Sequence, residues 1–329
     1  MTPLPSPSPG TLTRPEPPPP REALTQSAGW DAATPVLSVL IPFFRDDPAP
    51  LLGSLEREAS RLGGRVELVA LDDGGGDAAL TRRVALQVGA LSTPARLVAL
   101  DRNQGRAPGR NRLAAHARGR HLLFLDSDMA PDAPDFLARY LALIDEADPA
   151  VVFGGFSMEQ GPRAARFALH RALSLRGECL DAATRRLAPE KYVYTSNLLV
   201  RRDVFAAEAF DESFSGWGWE DVEWGMRVLR RFGVGHIDNP ATHLGLDTPA
   251  ALAGKYEQSA GNFARVVARH PEIVSHYPSY RLARTLKQLP ALKAWRGLLK
   301  WTALQPAAPL TARVFALKAY RAALYAEVV

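Results

Sequence analysis

Two aspartates one residue apart, Asp126 and Asp128, close the apolar run His121–Leu125. If that run is a strand, residues two apart point to the same side, and both carboxylates can face one point beyond its end. Hard oxygen donors aimed at one point suit Mg²⁺ or Mn²⁺, with a nucleotide diphosphate completing the shell. An isolated Asp-x-Asp is explained as well by a helix cap and a solvated acid, so the surrounding sequence has to decide. A second apolar run, from Glu67, ends in Asp72 and Asp73 and then in three consecutive glycines, Gly74 to Gly76. A third acidic pair, Glu220 and Asp221, follows Trp217 and Trp219 and opens a segment whose apolar residues Val222, Met226 and Leu229 recur at helical spacing. Glycines on both sides of Trp217 let the backbone approach a ligand, and an indole face suits the apolar C–H face of a pyranose. The start of a helix favours an ionised carboxylate, which makes Asp221 available as a base; the plain alternative is a charged cap behind a Trp-rich turn.

Those residues need a scaffold, and the composition permits one. The chain has 329 residues, 47% hydrophobic and 23% charged, which excludes wholesale disorder and a coiled-coil rod. Its one cysteine, Cys179, cannot form an internal disulfide or a cysteine-built zinc site, and the natural compartment is the cytosol. No apolar run reaches the ~18 residues of a membrane span, and the N-terminus lacks a signal-peptide pattern. The net charge of +5 is concentrated in the tail, where Arg265–Val329 holds only Glu272 and Glu327 as acids, so a nucleic-acid partner is not expected.

Residues 1–34 contain nine prolines, including Pro17 to Pro20, and few apolar side chains, which predicts a disordered arm. From Val36 the pattern alternates between strand and helix. Strands are expected at Val36–Ile41, Val66–Leu71, Arg96–Leu100 and His121–Leu125. One helix should be capped by Asp47, with Pro48 in its first position, and another by Asp77. A third should run over Pro108–Arg118, and a fourth should bury Phe136, Leu137, Tyr140, Leu141 and Ile144. Repeated strand-helix units imply a mostly parallel α/β sheet, in which ligands bind beyond the carboxyl ends of the strands. Function should therefore sit in the loops at 42–47, 72–77, 101–111 and 126–131. The second half predicts a strand over Tyr192–Val200, a helix over Glu220–Phe232, a strand over Val234–Asp238 and helices beyond. The expected organisation is a nucleotide-binding half (35–130), an acceptor half (131–248) and a basic helical extension (249–329).

Four segments in order between Ile41 and Asp128 carry a resemblance: Ile41-Pro42-Phe43-Phe44, Leu71-Asp72-Asp73-Gly74-Gly75, Asn103 and Gly105 with Arg110 and Asn111, and Asp126-Ser127-Asp128. Together they resemble the family 2 glycosyltransferases, nucleotide-sugar enzymes of the Rossmann-like GT-A fold. The resemblance implies that Pro42 and Arg45 lie beside the nucleotide and that Asp73, with Asp72, bonds the uracil. It further implies that Arg110 approaches the pyrophosphate, Asp126 the ribose and the metal, and Asp128 the metal directly. The Gly216–Asp221 block resembles metal-dependent galactosyl- and N-acetylgalactosaminyltransferases and chondroitin-type polymerases. By that likeness Asp221 is the base, Glu220 holds the acceptor sugar with Trp217 and Trp219 around it, and His243 is a further metal ligand, with His236 its nearer competitor. The implied reaction is an inverting, Mn²⁺- or Mg²⁺-dependent transfer from a UDP-sugar to a saccharide or glycoconjugate hydroxyl, in polysaccharide biosynthesis.

Rival readings stay open on the sequence. Gly74-x-Gly76-x-x-Ala79 mimics a dinucleotide fingerprint, but two acids before its first glycine would repel a pyrophosphate. A nucleotidyltransferase should carry a glycine-rich phosphate loop after its first strand, where this chain has Pro42-Phe43-Phe44-Arg45. A non-catalytic sugar-binding module would not need a base. In the tail, Leu292, Trp295 and Leu299 beside Lys293, Arg296 and Lys300 read either as a helix lying on an anionic membrane on the cytoplasmic face or as a cap packed on the domain.

Overall fold

The computed structural model describes residues 18–329. In chain order its first half contains β1 (Glu22–Gln26), β2 (Leu37–Phe43), α1 (Ala49–Ala59), β3 (Val66–Asp72), α2 (Ala78–Ala90), β4 (Ala95–Leu100), α3 (Arg106–His116) and β5 (His121–Phe124). β2 pairs in parallel with both β3 and β5, and β3 with β4. β3 is buried along its whole length, as expected of a parallel strand covered on both faces. α1 turns Leu51, Leu52, Leu55 and Ala59 onto the sheet. The Asp77 carboxylate caps α2 by accepting from the amides of Ala79 and Leu80, both at 3.0 Å. Asp47 acts one residue earlier than expected: it accepts from the Ala49 amide at 3.0 Å, and the helix begins after Pro48. α3 also starts early, at Arg106, because Gly105 takes up a φ of 92° at the turn into it.

The expectation of a disordered arm over 1–34 needs correction for its second part; residues 1–17 lie outside the described residues. β1 adds to the sheet edge antiparallel to β4, with Glu22 opposite Leu100 and Gln26 opposite Arg96. Trp30 is buried, with the guanidinium groups of Arg118 and Arg96 stacked 3.8 Å and 4.2 Å from its ring centre. Main-chain hydrogen bonds to an open edge do not depend on apolar side chains, and one buried indole is enough to anchor the segment.

The second half contributes β6 (Met129–Pro131), α4 (Phe136–Ala147), β7 (Val151–Phe153), β8 (Phe156–Ser157), α5 (Ala168–Gly177), α6 (Ala182–Arg185), β9 (Leu198–Arg201), α7 (Arg202–Ala207), α8 (Glu220–Leu229), β10 (Gly235–His236) and β11 (Ala241–His243). β9 inserts antiparallel between β5 and β7, completing an eight-stranded sheet of order β1-β4-β3-β2-β5-β9-β7-β10. The strand expected from Tyr192 is shorter, since Pro189–Tyr192 forms a 3₁₀ turn. The strand expected over Val234–Asp238 likewise shrinks to Gly235–His236. A small second sheet, β6-β11-β8, sets His243 opposite Met129. That register carries His243 to the strand end bearing Asp128.

The chain then forms α9 (Pro249–Arg269), α10 (Pro271–Val274), α11 (Pro278–Leu286), α12 (Leu292–Leu304) and α13 (Leu310–Ala326). Leu252, Tyr256, Phe263 and Val266 of α9 share a core with Leu317, Tyr320 and Tyr325 of α13 and with Val222 and Met226 of α8. The helical extension is therefore packed directly on α8. Leu292 and Leu299 pack against the same core, as a cap requires, whereas Trp295 faces outward. No helix among the described residues is long and apolar enough to cross a membrane.

Candidate active site

The loops at the carboxyl ends of β2 to β5 are locked to one another by the aspartates between them. Asp73 accepts from the Gln104 amide at 2.8 Å with one oxygen, and from the Gly105 amide and the Asn103 side-chain amide, both at 2.9 Å, with the other. Asp72 accepts from the Gly75 amide at 3.1 Å and the Thr81 hydroxyl at 2.5 Å. Burial raises the Asp73 carboxyl above the usual carboxylate range despite these bonds. Gly74, at a φ of 65°, lies so close to the next loop that a Cβ there would stand 2.2 Å from the Arg102 carbonyl carbon. Every oxygen of both carboxylates is thus engaged, and uracil recognition by Asp72 and Asp73 could use only their remaining lone pairs. Arg45, at a φ of 66°, donates from Nε to the Gly75 carbonyl at 3.1 Å. Pro42 sits in β2 opposite Leu71.

Beyond β5 the two aspartates part company. Asp126 accepts from Arg110 at 2.8 Å, and the same guanidinium lies 3.8 Å from Glu220 at the start of α8. Arg106, one helical turn before Arg110, lies 3.6 Å from the same Glu220 oxygen. The side chains of Arg110 and Glu220 are only 3% and 4% exposed, so this is a buried ion pair tying α3 to α8. The acceptor contact expected of Glu220 is revised accordingly, because its carboxylate is turned inward to two arginines. Burial works against a charge on Arg106, but Glu220, Asp126, Asp221 and Asp128 together outweigh it and raise its pKa.

Asp128 faces His243 instead, with Oδ2 3.2 Å from the imidazole Nε2. Burial draws the Asp128 carboxyl upward, but the hydrogen bond and charge of His243 prevail and hold it below its usual value. At His243 burial again opposes charge, and Asp128 again prevails, raising the imidazole pKa. A cavity of about 290 Å³ opens beside them, lined by Asp46, Pro50, Ser127, Asp128, Leu244 and Gly245. His236 is not a competitor. It is buried beside Arg185 and Pro189, and burial with the Arg185 charge lowers it to about 4.

As a test of the metal expectation, no group of three His, Cys, Asp or Glu side chains gathers among the described residues. Asp126, expected as a ligand, is held by Arg110 and does not join Asp128 and His243. What remains is one carboxylate beside one imidazole, a donor pair that fits Mn²⁺ or Mg²⁺ when substrate phosphate and water supply the other ligands. Gly245 makes room for that carboxylate: a Cβ there would lie 1.9 Å from Asp128 Oδ2. Gly245→Ala should push the Asp128 carboxylate aside, and on the metal-dependent reading proposed below it should weaken Mn²⁺-dependent UDP binding about tenfold or more. Titration calorimetry with UDP, with and without Mn²⁺, reads this directly, and an unchanged metal-dependent affinity would contradict it.

Asp221 occupies the second position of α8 and is half-buried. Burial, followed by the adjacent Glu220 charge, pushes its carboxyl up to about 7, against the pull of Arg110 and Arg106. A group poised there can be a base near neutrality. Trp217 remains half-buried, 6.0 Å from the Tyr256 ring, with Lys255 6.0 Å from its centre. Trp219 is half-buried as well. At a φ of 78° its indole packs 4.9 Å from Phe263 and donates to the Tyr325 hydroxyl at 2.9 Å, so it fastens the turn to α13.

Sequence reasoning missed several neighbours. Arg106 had a signal, its i, i+4 spacing to Arg110 on one helix face. Asp46 had a weaker one, a place in the first strand-end loop; burial and then Asp128 raise its carboxyl. Asn262, which donates to the carbonyls of Ser215 and Gly218 at 2.9 Å, and Lys255 come from α9, far along the chain, and nothing local marks them.

The Glycosyl transferase family 2 model matches residues 38–207, from β2 to the end of α7. The chain belongs to glycosyl transferase family 2. Residues 1–349 of TarS from S. aureus share the fold at 16% identity and a TM-score of 0.51, over 87% of this chain and 89% of that one. TarS 1–349 in complex with UDP-GlcNAc superposes at 17% identity and 0.50, over 87% and 89%. The mannosyltransferase PcManGT from Pyrobaculum calidifontis, in complex with GDP-Man and Mn²⁺, does so at 16% identity and 0.52, over 90% and 88%. No curated protein matches the chain. As a member of family 2 the protein is a transferase acting in glycosyl transfer, and the nucleotidyltransferase and non-catalytic readings fall away. Glu220, Asp221 and His243 lie beyond the matched residues.

Proposed function

We propose that this family 2 enzyme is an inverting, divalent-metal-dependent transferase that moves a sugar of the galactose or N-acetylgalactosamine type from UDP to a hydroxyl of a saccharide or glycoconjugate. The observation that carries the reading is the meeting of the two halves of the chain: His243 stands at Asp128, and Glu220, next to Asp221, stands at Arg110 and Arg106. In the reaction the acceptor oxygen bonds to the anomeric carbon as the bond from that carbon to the β-phosphate oxygen breaks. The acceptor proton passes to Asp221, and the bonding electron pair leaves with UDP. Buried Arg110 and the more exposed Arg106 offer positive charge toward the departing diphosphate. A Mn²⁺ or Mg²⁺ ion held by Asp128 and His243 would neutralise part of the charge on that diphosphate. Glu220 keeps the two arginines and the start of α8 in register, and Trp217 is the aromatic face left for the acceptor sugar.

The uridine and the galactose-type sugar are proposed from the motif resemblance. Of the superposed structures, TarS was solved with UDP-GlcNAc and PcManGT with GDP-Man. A panel of UDP- and GDP-sugars with Mn²⁺, read as free nucleoside diphosphate, tests the proposal. UDP release from UDP-galactose or UDP-N-acetylgalactosamine is the expected outcome; turnover of GDP-sugars alone would refute it. Because Asp221 must be ionised to take a proton and its carboxyl titrates at about 7, kcat/KM should fall about tenfold per pH unit below that point and level off above it. Initial rates from about pH 5 to about pH 9 measure this, and a flat profile across neutrality would remove Asp221 as the base.

A further inference from the structure

The helices that follow the catalytic domain do more than cap it. No acidic residue occurs between Glu272 and Glu327, and nine lysines and arginines do. α12 turns Leu292, Leu299 and Ala303 toward the core it shares with α13. Its opposite side presents Trp295, Leu298 and Trp301, spaced three apart and 52%, 51% and 60% exposed. At about 100° per residue these side chains form one strip along the helix. Leu289 ahead of α12 and Phe315 on α13, the latter 70% exposed, enlarge the apolar surface. Two of the basic residues beside the strip are used internally, Arg296 by Glu327 and Lys300 by Glu257. Arg281, Arg284, Lys293 and Lys318 are exposed and have no carboxylate partner among the described residues.

We propose that the outer face of α11 to α13 docks on an anionic lipid bilayer. Exposed Trp and Leu side chains at the water-lipid boundary bury apolar area among the acyl chains, while unpaired Lys and Arg meet acidic headgroups. The other occupants fit less well. A second copy of this chain would set the same positive charges against themselves, and a polyanion without an apolar phase would leave two indoles and two leucines unburied. α13 also holds Trp219 through Tyr325, so the docked layer is bonded to the turn that precedes Asp221. On the function proposed above, this would present the acceptor loop at a membrane surface; the docking itself does not depend on that function.

The test is flotation of the full-length chain with phosphatidylglycerol–phosphatidylcholine vesicles and with phosphatidylcholine alone, without substrates. The wild-type chain should float with the anionic vesicles and separate from them as salt is raised. The double variant Trp295→Glu and Trp301→Glu, with an unchanged circular dichroism spectrum, should lose at least about tenfold of its lipid-bound fraction. Lys293→Glu with Lys318→Glu should show a smaller loss, confined to anionic vesicles. Absence of flotation in the wild type, or equal flotation of the tryptophan variant, would overturn the proposal. So would light scattering that shows a wild-type dimer dissolved by the tryptophan substitutions, which would make the face a self-interface. UDP release is measured separately, so failure of the functional reading would leave this result standing.

Discussion

Asp221→Asn should lower sugar transfer about 10³-fold while leaving Mn²⁺-dependent UDP affinity within about twofold of the parent. The carboxamide keeps the shape of the side chain and the oxygen that accepts from the Val222 amide at 2.8 Å, so the start of α8 should not move. What it removes is the capacity to take a proton, which a carboxyl titrating near 7 supplies and an amide does not. Single-turnover rates and nucleotide titrations on the same preparation separate the two quantities. Equal transfer rates in variant and parent would show that the proton leaves by another route. Glu220→Gln offers a contrast: Glu220 is buried between Arg106 and Arg110, so its neutralisation should lower thermal stability and donor binding together.

Asp128→Ala should reduce Mn²⁺-dependent UDP affinity about a hundredfold, and His243→Ala should do nearly the same. The two side chains lie 3.2 Å apart and would serve one ion, so their effects should not add. A double variant that binds UDP no worse than either single variant is the expected result. Losses that multiply would mean two independent contacts and no shared ligand. The backbone bond from the Leu244 amide to the Asp128 carbonyl, at 2.9 Å, does not depend on either side chain, so the strand end should keep its course. UDP binding without metal should change little in any of the three variants, which guards against a purely structural cause.

The fold was legible where its signals are local. β2, β3 and β5 are apolar runs of strand length, and α4 buries the five residues that its periodicity singles out. The four motifs between Ile41 and Asp128 needed only order and spacing, and the family match covers all of them. β1 was hidden because an edge strand held by main-chain bonds carries no apolar alternation to detect, and Trp30 was the lone clue beside a proline-rich run. The split of Asp126 from Asp128 was hidden too. Spacing places both on one side of a strand, but the partner each one finds depends on α3 in one case and β11 in the other.

The sequence by itself determined the parallel strands β2 to β5, the loops at their carboxyl ends and the residue types gathered there, because strand period, helix caps and glycine turns act over a few residues. Only the tertiary structure decided which acid meets which base. His243 reaches Asp128 through the antiparallel register of β11 on β6, Glu220 at the start of α8 reaches Arg110 on α3 as a buried ion pair, and the Trp219 indole is bonded to Tyr325, 106 residues further on. Such pairings are fixed by which surfaces bury each other, and no pattern within a single segment encodes them.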